Sequence, residues 1–389
     1  MAQNGEFIEE NEFMKILASL GVEFLNSSCG KVHRNKLAGK ILCLYFSANW
    51  CKPCKTFTPQ LLHLYNSLKN NGKKLEIILI SSDRDENAYK EHYKDMPWLT
   101  VPYDLNIYRQ LAEQFNVKQI PALIPLSLDG NGKSSEDDCV SLVEDYGSDA
   151  YPFTKGRRDE LKALDERQRR GGEIEELLAH KGRNYLISRD GKKIRVSELK
   201  GKTVGLYFGA HWCPPSRTFT AQLVDCYTEL VTTLNQPFEV VFASADRDKD
   251  ESIHTLSTMP WLAVPYDDKT THDLKRIFDI TRIPSLVVIG PDGKTVTANG
   301  RDMVSLYGAM AFPFTKERIS EIEAALRKDG ERLPDQVQDP RHVHELKLDM
   351  AKVYVCDACK KRGRFWAFSC DVCDYDLHPT CVEDGFQAC

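Results

Sequence analysis

Short apolar runs alternate with a helical pattern in the first third of the chain. Residues 41–46 (ILCLYF) and 75–82 (LEIILISS) are continuous apolar runs of the length typical of buried strands. Between them apolar residues recur at spacings of four, three and four, the period of an amphipathic helix, at Phe57, Leu61, Leu64 and Leu68. Residues 120–133 (IPALIPLSLDGNGK) predict a strand that turns at Asp129-Gly130 into another. This order predicts an α/β domain with a central mixed sheet flanked by helices.

The same pattern occurs twice. Segments 39–161 and 201–322 match in register, for example GKILCLYFSANWC with GKTVGLYFGAHWC, MPWLTVPYD with MPWLAVPYD, and YGSDAYPFTK with YGAMAFPFTK. Each unit has about 160 residues, which is the size of a complete domain and too long for a solenoid repeat. The chain is therefore a tandem duplication.

Two polar stretches mark the ends of the two units. The charged segment 155–172 ends in Gly171-Gly172, and the segment DGERLPDQVQDP contains two prolines and few apolar residues. The sequence therefore predicts a first domain at 1–168, a second at 169–328, a linker at 329–341 and a C-terminal module at 342–389.

Composition narrows the class of protein. The 389 residues are 42% hydrophobic and 28% charged, enough for two or three domain cores. A formal net charge of -5 argues against binding nucleic acid or an anionic membrane through the overall field, so proteins or small molecules are the expected partners. The acidic N-terminus lacks the features of a signal peptide, and no apolar run approaches the roughly 18 residues of a membrane span. We expect the cytoplasm, and in addition the nucleus, as the location.

Thirteen cysteines in a reducing compartment indicate metal binding or redox catalysis rather than a disulfide framework. The segment SANWCKPCKTF places Cys51 and Cys54 between the first predicted strand and the following helix. At a helix N-terminus the unpaired N–H groups stabilise a thiolate, so Cys51 is the predicted nucleophile and Cys54, one turn later, the resolving thiol. Pro53 suits the first turn, where no N–H is needed. A lone CxxC can also be half of a zinc site, but no second pair lies in the same unit.

The second unit has Cys213 but carries Ser216 where the first has Cys54. A serine cannot resolve a mixed disulfide, so three interpretations stay open: a degenerate structural copy, a monothiol or substrate-holding site, or pairing with a distant cysteine. Cys226 is excluded as that partner because 13 residues of helix span about 20 Å. Cys226 and Cys43 are expected in the core, whereas Cys29 and Cys139 lie in turn-like segments and are candidate exposed thiols.

The motif WCKPC, the strand before it and the later Ile120-Pro121 resemble the thioredoxin fold. The segment SDRDENAYKEHYKDMPWLTVPYD is similar to the tryparedoxin and nucleoredoxin branch, and the tandem units with the C-terminal tail resemble plant nucleoredoxins over nearly the whole chain. The resemblance implies two thioredoxin-like domains and a protein-disulfide reductase. Oxidised client proteins would be its substrates, and an NADPH- or NADH-linked thioredoxin reductase or another thiol donor would recharge it, with no tightly bound organic cofactor.

The resemblance also assigns roles around the cysteines. Pro121 and Pro284 would be cis prolines that lie against the active site and shape the substrate groove. Tyr45 stands where many thioredoxins have a buried aspartate, so the base that would deprotonate Cys54 is not assigned. Trp50 and Trp212 are expected to line the groove.

Two further repeated segments have competing interpretations. Trp98 and Trp261, in the two MPWL segments, are candidates either for the groove or for the core. The two DRD segments, 83–85 and 246–248, suggest metal binding, but solvated loops are the expected explanation.

The C-terminal tail contains eight closely spaced soft ligands, enough for two tetrahedral zinc ions. They are His344, Cys356, Cys359, Cys370, Cys373, His378, Cys381 and Cys389. A segment of about 48 residues has too little core to fold alone, and metal binding commonly supplies the missing stability. His342 is the alternative to His344.

The spacing resembles the cysteine/histidine-rich modules of the protein kinase C type, in which the ligands interleave. That resemblance assigns one ion to Cys356, Cys359, His378 and Cys381. It assigns the other to His344, Cys370, Cys373 and Cys389. The basic cluster KKRGR (360–364) between two ligand pairs is expected to be a solvated loop, with phosphate contact or a nuclear signal as alternatives. Nothing in the sequence supports lipid or nucleic-acid binding by the module.

Two functions from different classes remain. The first is a thiol-disulfide oxidoreductase in which Cys51 and Cys54 cycle between dithiol and disulfide. The alternative is a redox-regulated scaffold or holdase that engages partners through the second domain and the zinc module.

Overall fold

The computed structural model describes residues 12–126, 138–180, 182–266 and 268–382. The chain divides into two compact units between Leu164 and Asp165. The helix Lys155–Arg170 runs through this point, so the predicted domain boundary at residue 168 also falls within a helix. The predicted turn at Asp129-Gly130 and the predicted ligand Cys389 lie outside the described residues.

The first unit is built on a mixed six-stranded sheet in the order β2-β1-β5-β4-β3-β6. Its strands are β1 Phe24–Ser27, β2 Gly30–His33, β3 Ile41–Ser47, β4 Leu75–Ser81, β5 Leu99–Thr100 and β6 Ala122–Leu126. Its helices are α1 Glu12–Ser19, α2 Lys52–Asn70, α3 Glu86–Tyr93, α4 Leu105–Gln114, α5 Val140–Tyr146 and α6 Lys155–Arg170. The three strands β3, β4 and β5 are parallel, and β6 runs antiparallel to β3.

Both faces of this sheet are covered, which explains why its central strands are continuously apolar. Alternate residues of β3 point to opposite faces: Cys43 and Tyr45 pack with α2, and Leu44 and Phe46 pack with α1 and α4. All seven residues of β3 and of β4 are buried. The unit therefore has two apolar layers that hold the carboxyl end of β3, where the cysteine motif begins.

The second unit repeats this arrangement in a seven-stranded sheet of order β13-β12-β9-β10-β11-β7-β8. Its strands are β7 Tyr185–Ile187, β8 Lys193–Arg195, β9 Thr203–Gly209, β10 Phe238–Ser244, β11 Leu262–Ala263, β12 Ser285–Ile289 and β13 Thr295–Thr297. Its helices are α7 Ile174–Leu178, α8 Pro214–Thr228, α9 Lys249–Ser257, α10 Lys269–Ile277, α11 Gly300–Tyr307 and α12 Lys316–Gly330.

The C-terminal part of this unit is an antiparallel sheet of four strands. They are β14 Gln336–Val337, β15 Leu346–Val355, β16 Arg362–Cys370 and β17 Tyr375–Leu377, paired in chain order. The first of them lies within the predicted linker 329–341.

The C-terminal sheet packs on the second thioredoxin-like fold. The Trp366 indole donates to the carbonyl of Leu326 at 2.9 Å, and Phe365 stacks on Tyr307 with ring centroids 5.8 Å apart. Gly330 leaves room for the Trp366 ring, because a Cβ there would lie 2.1 Å from it. Of the helices in the described ranges, none combines the length and the apolar character that crossing a bilayer requires.

Candidate redox and metal sites

Cys51 and Cys54 form a disulfide at the start of α2, with their Cα atoms 5.2 Å apart. The chain leaves β3 at Ser47, and Cys51 becomes the N-cap of α2. The amide of Cys54 donates to Cys51 Sγ at 3.2 Å, so one of the orphan N–H groups of the helix points at this sulfur. Such a donor favours a thiolate at Cys51 once the disulfide is reduced. Both sulfurs are largely buried, and Cys54 is fully enclosed.

The predicted groove residues surround the disulfide. The Ile120–Pro121 bond is cis, and Cys51 Sγ lies 3.7 Å from the carbonyl oxygen of Ile120. Trp50 is 55% exposed, and its indole donates to the carbonyl of Ser82 at 3.2 Å. Pro53 occupies the first turn of α2, as predicted. At the carboxyl edge of the sheet the exposed Trp50 ring therefore lies next in sequence to Cys51, whose largely buried sulfur contacts the cis Ile120–Pro121 segment.

Tyr45 does not replace the missing aspartate as a base. Burial raises the pKa of its phenol, although hydrogen bonds with Ser47 and Thr58 partly oppose this effect. Its Oη lies 2.8 Å from Thr58 Oγ1, and this hydroxyl donates to the carbonyl of Cys54. Tyr45 thus stays protonated near neutral pH and supports the backbone of the motif.

The expectation that the DRD segments are merely solvated loops is wrong for their first residues. Asp83 is fully buried, and it accepts hydrogen bonds from the amide of Asn49 at 2.7 Å and from Ser81 at 2.8 Å. Burial opposes its ionisation, but hydrogen bonds from His92, Ser81 and Asn49 outweigh this and lower the pKa of Asp83. The carboxylate thereby holds the loop that carries Trp50 and Cys51.

Asp246 plays the same part in the second unit. It accepts from the amide of His211 at 2.7 Å and from Ser244 at 2.8 Å. The third residue of each DRD segment is an N-cap, because Asp85 accepts from Ala88 and Asp248 from Glu251. Sequence reasoning missed these roles, although the repetition of DRD at the same place in both units was a usable signal.

The site of the second unit keeps the position of the first cysteine and the cis proline, but it lacks the second cysteine and, in the described helix α8, the hydrogen bond from the helix amide to the sulfur. Cys213 caps α8, its Sγ lies 3.8 Å from the carbonyl of Ile283, and the Ile283–Pro284 bond is cis. Ser216 is 1% exposed, and its Oγ has no hydrogen-bond partner among the described residues. Trp212 is exposed like Trp50, and its indole donates to the carbonyl of Ala245 at 3.1 Å.

Other predicted candidates fall in the core. Trp98 and Trp261 are each 1% exposed, so core packing is the correct alternative for the MPWL pair. Cys43 and Cys226 are buried as expected, and burial raises the pKa of Cys226 to about 12. Cys139 is also buried, which corrects its prediction as an exposed thiol, whereas Cys29 is exposed.

The C-terminal sheet brings two groups of metal-ligating side chains together. One group is Cys356, Cys359, His378 and Cys381, and the other is His342, His344, Cys370 and Cys373. Within each group the ligand atoms lie within 4.8 Å of one another. Cys389 is not among the described residues, and His342 occupies a place in the second group.

These distances fit tetrahedral zinc. Ligand bonds of about 2.3 Å to sulfur and 2.0–2.1 Å to nitrogen place sulfur and nitrogen about 3.6 Å apart. The Sγ atoms of Cys359 and Cys373 lie 3.3 Å and 3.2 Å from Nδ1 of His378 and His344, and that of Cys381 lies 3.7 Å from His378. The buried Nε2 of His342 has no hydrogen-bond partner in the described part of the chain.

The thiols of the first group differ in their tendency to ionise. Burial opposes ionisation of Cys356, but hydrogen bonds from neighbouring amides lower its pKa to about 6. Burial and the neighbouring thiols raise the pKa of Cys381 to about 11. Coordination of zinc through all three sulfurs would require three thiolates, and the cation would supply the positive charge that stabilises them together.

The KKRGR cluster lies beside these ligands. The sequence predicts a solvated loop for this cluster. That prediction is wrong for its last three residues, because Arg362–Arg364 belong to β16.

Comparisons with known proteins match the two repeated domains and the C-terminal module separately. A thioredoxin-like family model matches residues 39–132 and 201–295, and a C1 domain model matches residues 340–382. Probable nucleoredoxin 3 of Arabidopsis thaliana is 55% identical over 379 residues, which are 97% of this chain and 96% of that protein. Probable nucleoredoxin 3 of Oryza sativa subsp. japonica is 49% identical over 358 residues, which are 91% of this chain and 76% of that protein.

Among solved structures, native tryparedoxin I from Crithidia fasciculata is 36% identical. The match covers 36% of this chain and 96% of that one, with a TM-score of 0.33.

The chain is a thioredoxin-like oxidoreductase: the fold occurs twice, and the first copy has a cysteine pair at the start of α2. It also has a C1-like cysteine/histidine module at residues 340–382. More particularly, the chain belongs to the nucleoredoxin family.

Proposed function

We propose that the protein reduces disulfides of client proteins through Cys51 and Cys54. The observation that carries this proposal is the pair itself, at disulfide distance on a helix N-terminus beside Pro121. The Cys51 thiolate attacks a client disulfide and forms a mixed disulfide, while the displaced client sulfur takes up a proton. Cys54 then attacks Cys51, so the second client thiol leaves and the client has gained two electrons. An NADPH- or NADH-linked reductase, or another thiol donor, returns the two electrons to the pair.

A trapping experiment tests this sequence of steps. Cys54→Ser should attack once and remain covalently linked to its client, because no thiol resolves the intermediate. Cys51→Ser should form no such adduct. The adducts are counted by non-reducing electrophoresis with an oxidised model protein. Equal adduct formation by both variants would exclude Cys51 as the nucleophile.

We propose that the second unit holds the oxidised partner. Trp212 is exposed and Pro284 is cis beside Cys213, but buried Ser216 offers no resolving thiol. This combination also favours the second candidate function, a redox-regulated scaffold or holdase. Suppression of client aggregation by a Cys51→Ser variant would support the scaffold, and turnover of insulin with a thioredoxin reductase would support the reductase.

We propose two zinc ions in the C-terminal module. Bound zinc would stabilise the small sheet, with one ion held by Cys356, Cys359, His378 and Cys381. The other would be held by His344, Cys370 and Cys373 with Cys389 as the predicted fourth ligand, and the proximity of His342 makes it the competitor. Zinc content after Cys389→Ser and after His342→Ala separates the two, because loss of the true ligand should lower the stoichiometry towards one ion per chain.

The location in the cytoplasm, and in addition in the nucleus, remains a prediction.

A further inference from the structure

A chain of three polar side chains lies beneath the active-site loop of the first unit. His92 Nδ1 is 2.9 Å from Asp83 Oδ2, and His92 Nε2 is 3.2 Å from Ser47 Oγ. The side chains of His92 and Asp83 are 7% and 0% exposed. Ser47 is fully buried as well, so its hydroxyl cannot reach a client protein. The Ser47–His92–Asp83 arrangement is therefore not a hydrolytic site.

The chemistry of these three side chains shows which ring nitrogen of His92 carries a hydrogen. An ionised carboxylate only accepts, so His92 Nδ1 carries a hydrogen and donates it to Asp83. The other carboxylate oxygen accepts from the amide of Asn49, two residues before Cys51. His92 therefore fixes the orientation of the carboxylate that fixes the loop, and its N–H withdraws negative charge from that carboxylate.

The second unit provides an internal comparison. Its carboxylate, Asp246, makes the same bonds to the loop amide and to Ser244. When the two units are aligned, however, His92 corresponds to Thr255 and Ser47 corresponds to Gly209. The hydroxyl of Thr255 donates to the carbonyl of Glu251. A Cβ at Gly209 would lie 2.5 Å from the hydroxyl of Tyr207. The aspartate is thus common to both units, whereas an imidazole bonded to that aspartate, and the serine, are described only beside the cysteine pair. The imidazoles of His211 and His254 in the second unit pack on each other, with ring centroids 5.2 Å apart.

We propose that His92 is a positioning residue for the redox reaction: through Asp83 it holds the loop before Cys51, and it moderates the negative charge of the carboxylate that is bonded to this loop. This inference rests on the proposed reductase function. A carboxylate near a thiol disfavours a second negative charge, so a hydrogen bond that disperses the first charge promotes the thiolate. At an effective dielectric constant of about 20, losing such compensation changes thiolate formation by roughly three- to tenfold.

The test measures alkylation of Cys51 by iodoacetamide near neutral pH in the reduced full-length chain, with the modified peptides counted by mass spectrometry. His92→Thr copies the second unit and should slow alkylation by roughly three- to tenfold. His92→Asn keeps an N–H donor near the position of Nδ1 and should restore most of the rate. Lys90→Thr, an exposed change on the same helix, is the control, and Cys213 in the same chain is the internal standard.

Unchanged alkylation in His92→Thr would overturn the inference, and so would a His92→Asn variant as slow as His92→Thr. If His92→Thr fails to fold, Thr255→His in the second unit replaces it, because an imidazole there should speed alkylation of Cys213 several-fold, and no change would again contradict the inference. Alkylation does not depend on client turnover. If the wild-type chain reduces no insulin, the proposed reductase function is contradicted. The alkylation rates of the His92 variants can still be compared and still test the role of His92.

Discussion

Asp83 is a buried carboxylate whose hydrogen bonds give its contribution to stability a defined dependence on pH. Because its pKa is lowered in the folded chain, the unfolded chain binds this proton more tightly. The contribution is therefore complete above the unfolded pKa near 3.8 and is lost as the pH falls through the folded value. Asp83→Asn should destabilise the first unit by about 1–3 kcal/mol at pH 7, and the difference should shrink below pH 4.

Hydrogen exchange of peptides from residues 41–60 during urea unfolding measures this difference. Asp85→Asn is the matched control, since Asp85 is an exposed N-cap of α3 in the same loop. A difference between Asp83→Asn and the wild type that is as large at pH 3 as at pH 7 would show that the charge is not the stabilising feature.

Functional residues could be predicted where the residues that act together lie close together in the sequence. Cys51, Cys54 and Ser216 follow from one motif and its altered copy. Asp83 and His92 could not be assigned, because their roles depend on a contact with Asn49, 34 residues away in the chain. In the sequence they are only a charged segment and a helical histidine.

Among the elements, α2 and α8 both begin with a cysteine at the N-cap and proline in the first turn, so the missing thiol of the second unit can be restored. Ser216 is buried and its hydroxyl has no described partner, so a cysteine side chain fits the site without losing a hydrogen bond. Ser216→Cys should form a disulfide with Cys213 and give the second unit reductase activity in a Cys51→Ser background. Insulin turnover measures the gain. A pair that forms but reduces nothing would favour a structural or partner-holding role.

Long periodic elements were predictable and short ones were not. The apolar runs identified β3 and β4, and the four-three-four spacing identified α2. The two-residue strands β5 and β11 carry too little pattern, and their place in the sheet comes from pairing with distant neighbours. The hairpin of β1 and β2 lies in half-exposed sequence without a continuous apolar run.

On the scale of the molecule, the C-terminal module belongs physically to the second thioredoxin-like fold. Gly330→Ala would place a Cβ 2.1 Å from the Trp366 ring, and such overpacking costs typically 1–3 kcal/mol. Faster hydrogen exchange in peptides of α12 and β16 is the expected result. Gly156→Ala is the control, because it also lies in a helix but meets no atom within 4 Å. Equal exchange in both variants would contradict the packing.

Metal removal should act on the same part of the chain. A strong chelator should release about two zinc ions per chain, the number set by eight ligands with four per ion. Residues 342–382 should then lose protection from hydrogen exchange, because the small sheet depends on the metal. The contacts of Phe365 and Trp366 should be lost with it, while the first unit keeps its own core and its protection. An unprotected first unit after chelation, or an isolated module without zinc, would contradict this account.

The most direct test of the central claim is turnover of insulin disulfides by the full-length chain with NADPH and a thioredoxin reductase. The account predicts activity in the wild type, activity retained in Cys213→Ser, and loss of nearly all activity in Cys51→Ser, because only the first unit has both an attacking and a resolving thiol. Turnover by Cys51→Ser at a rate near that of the wild type would contradict it.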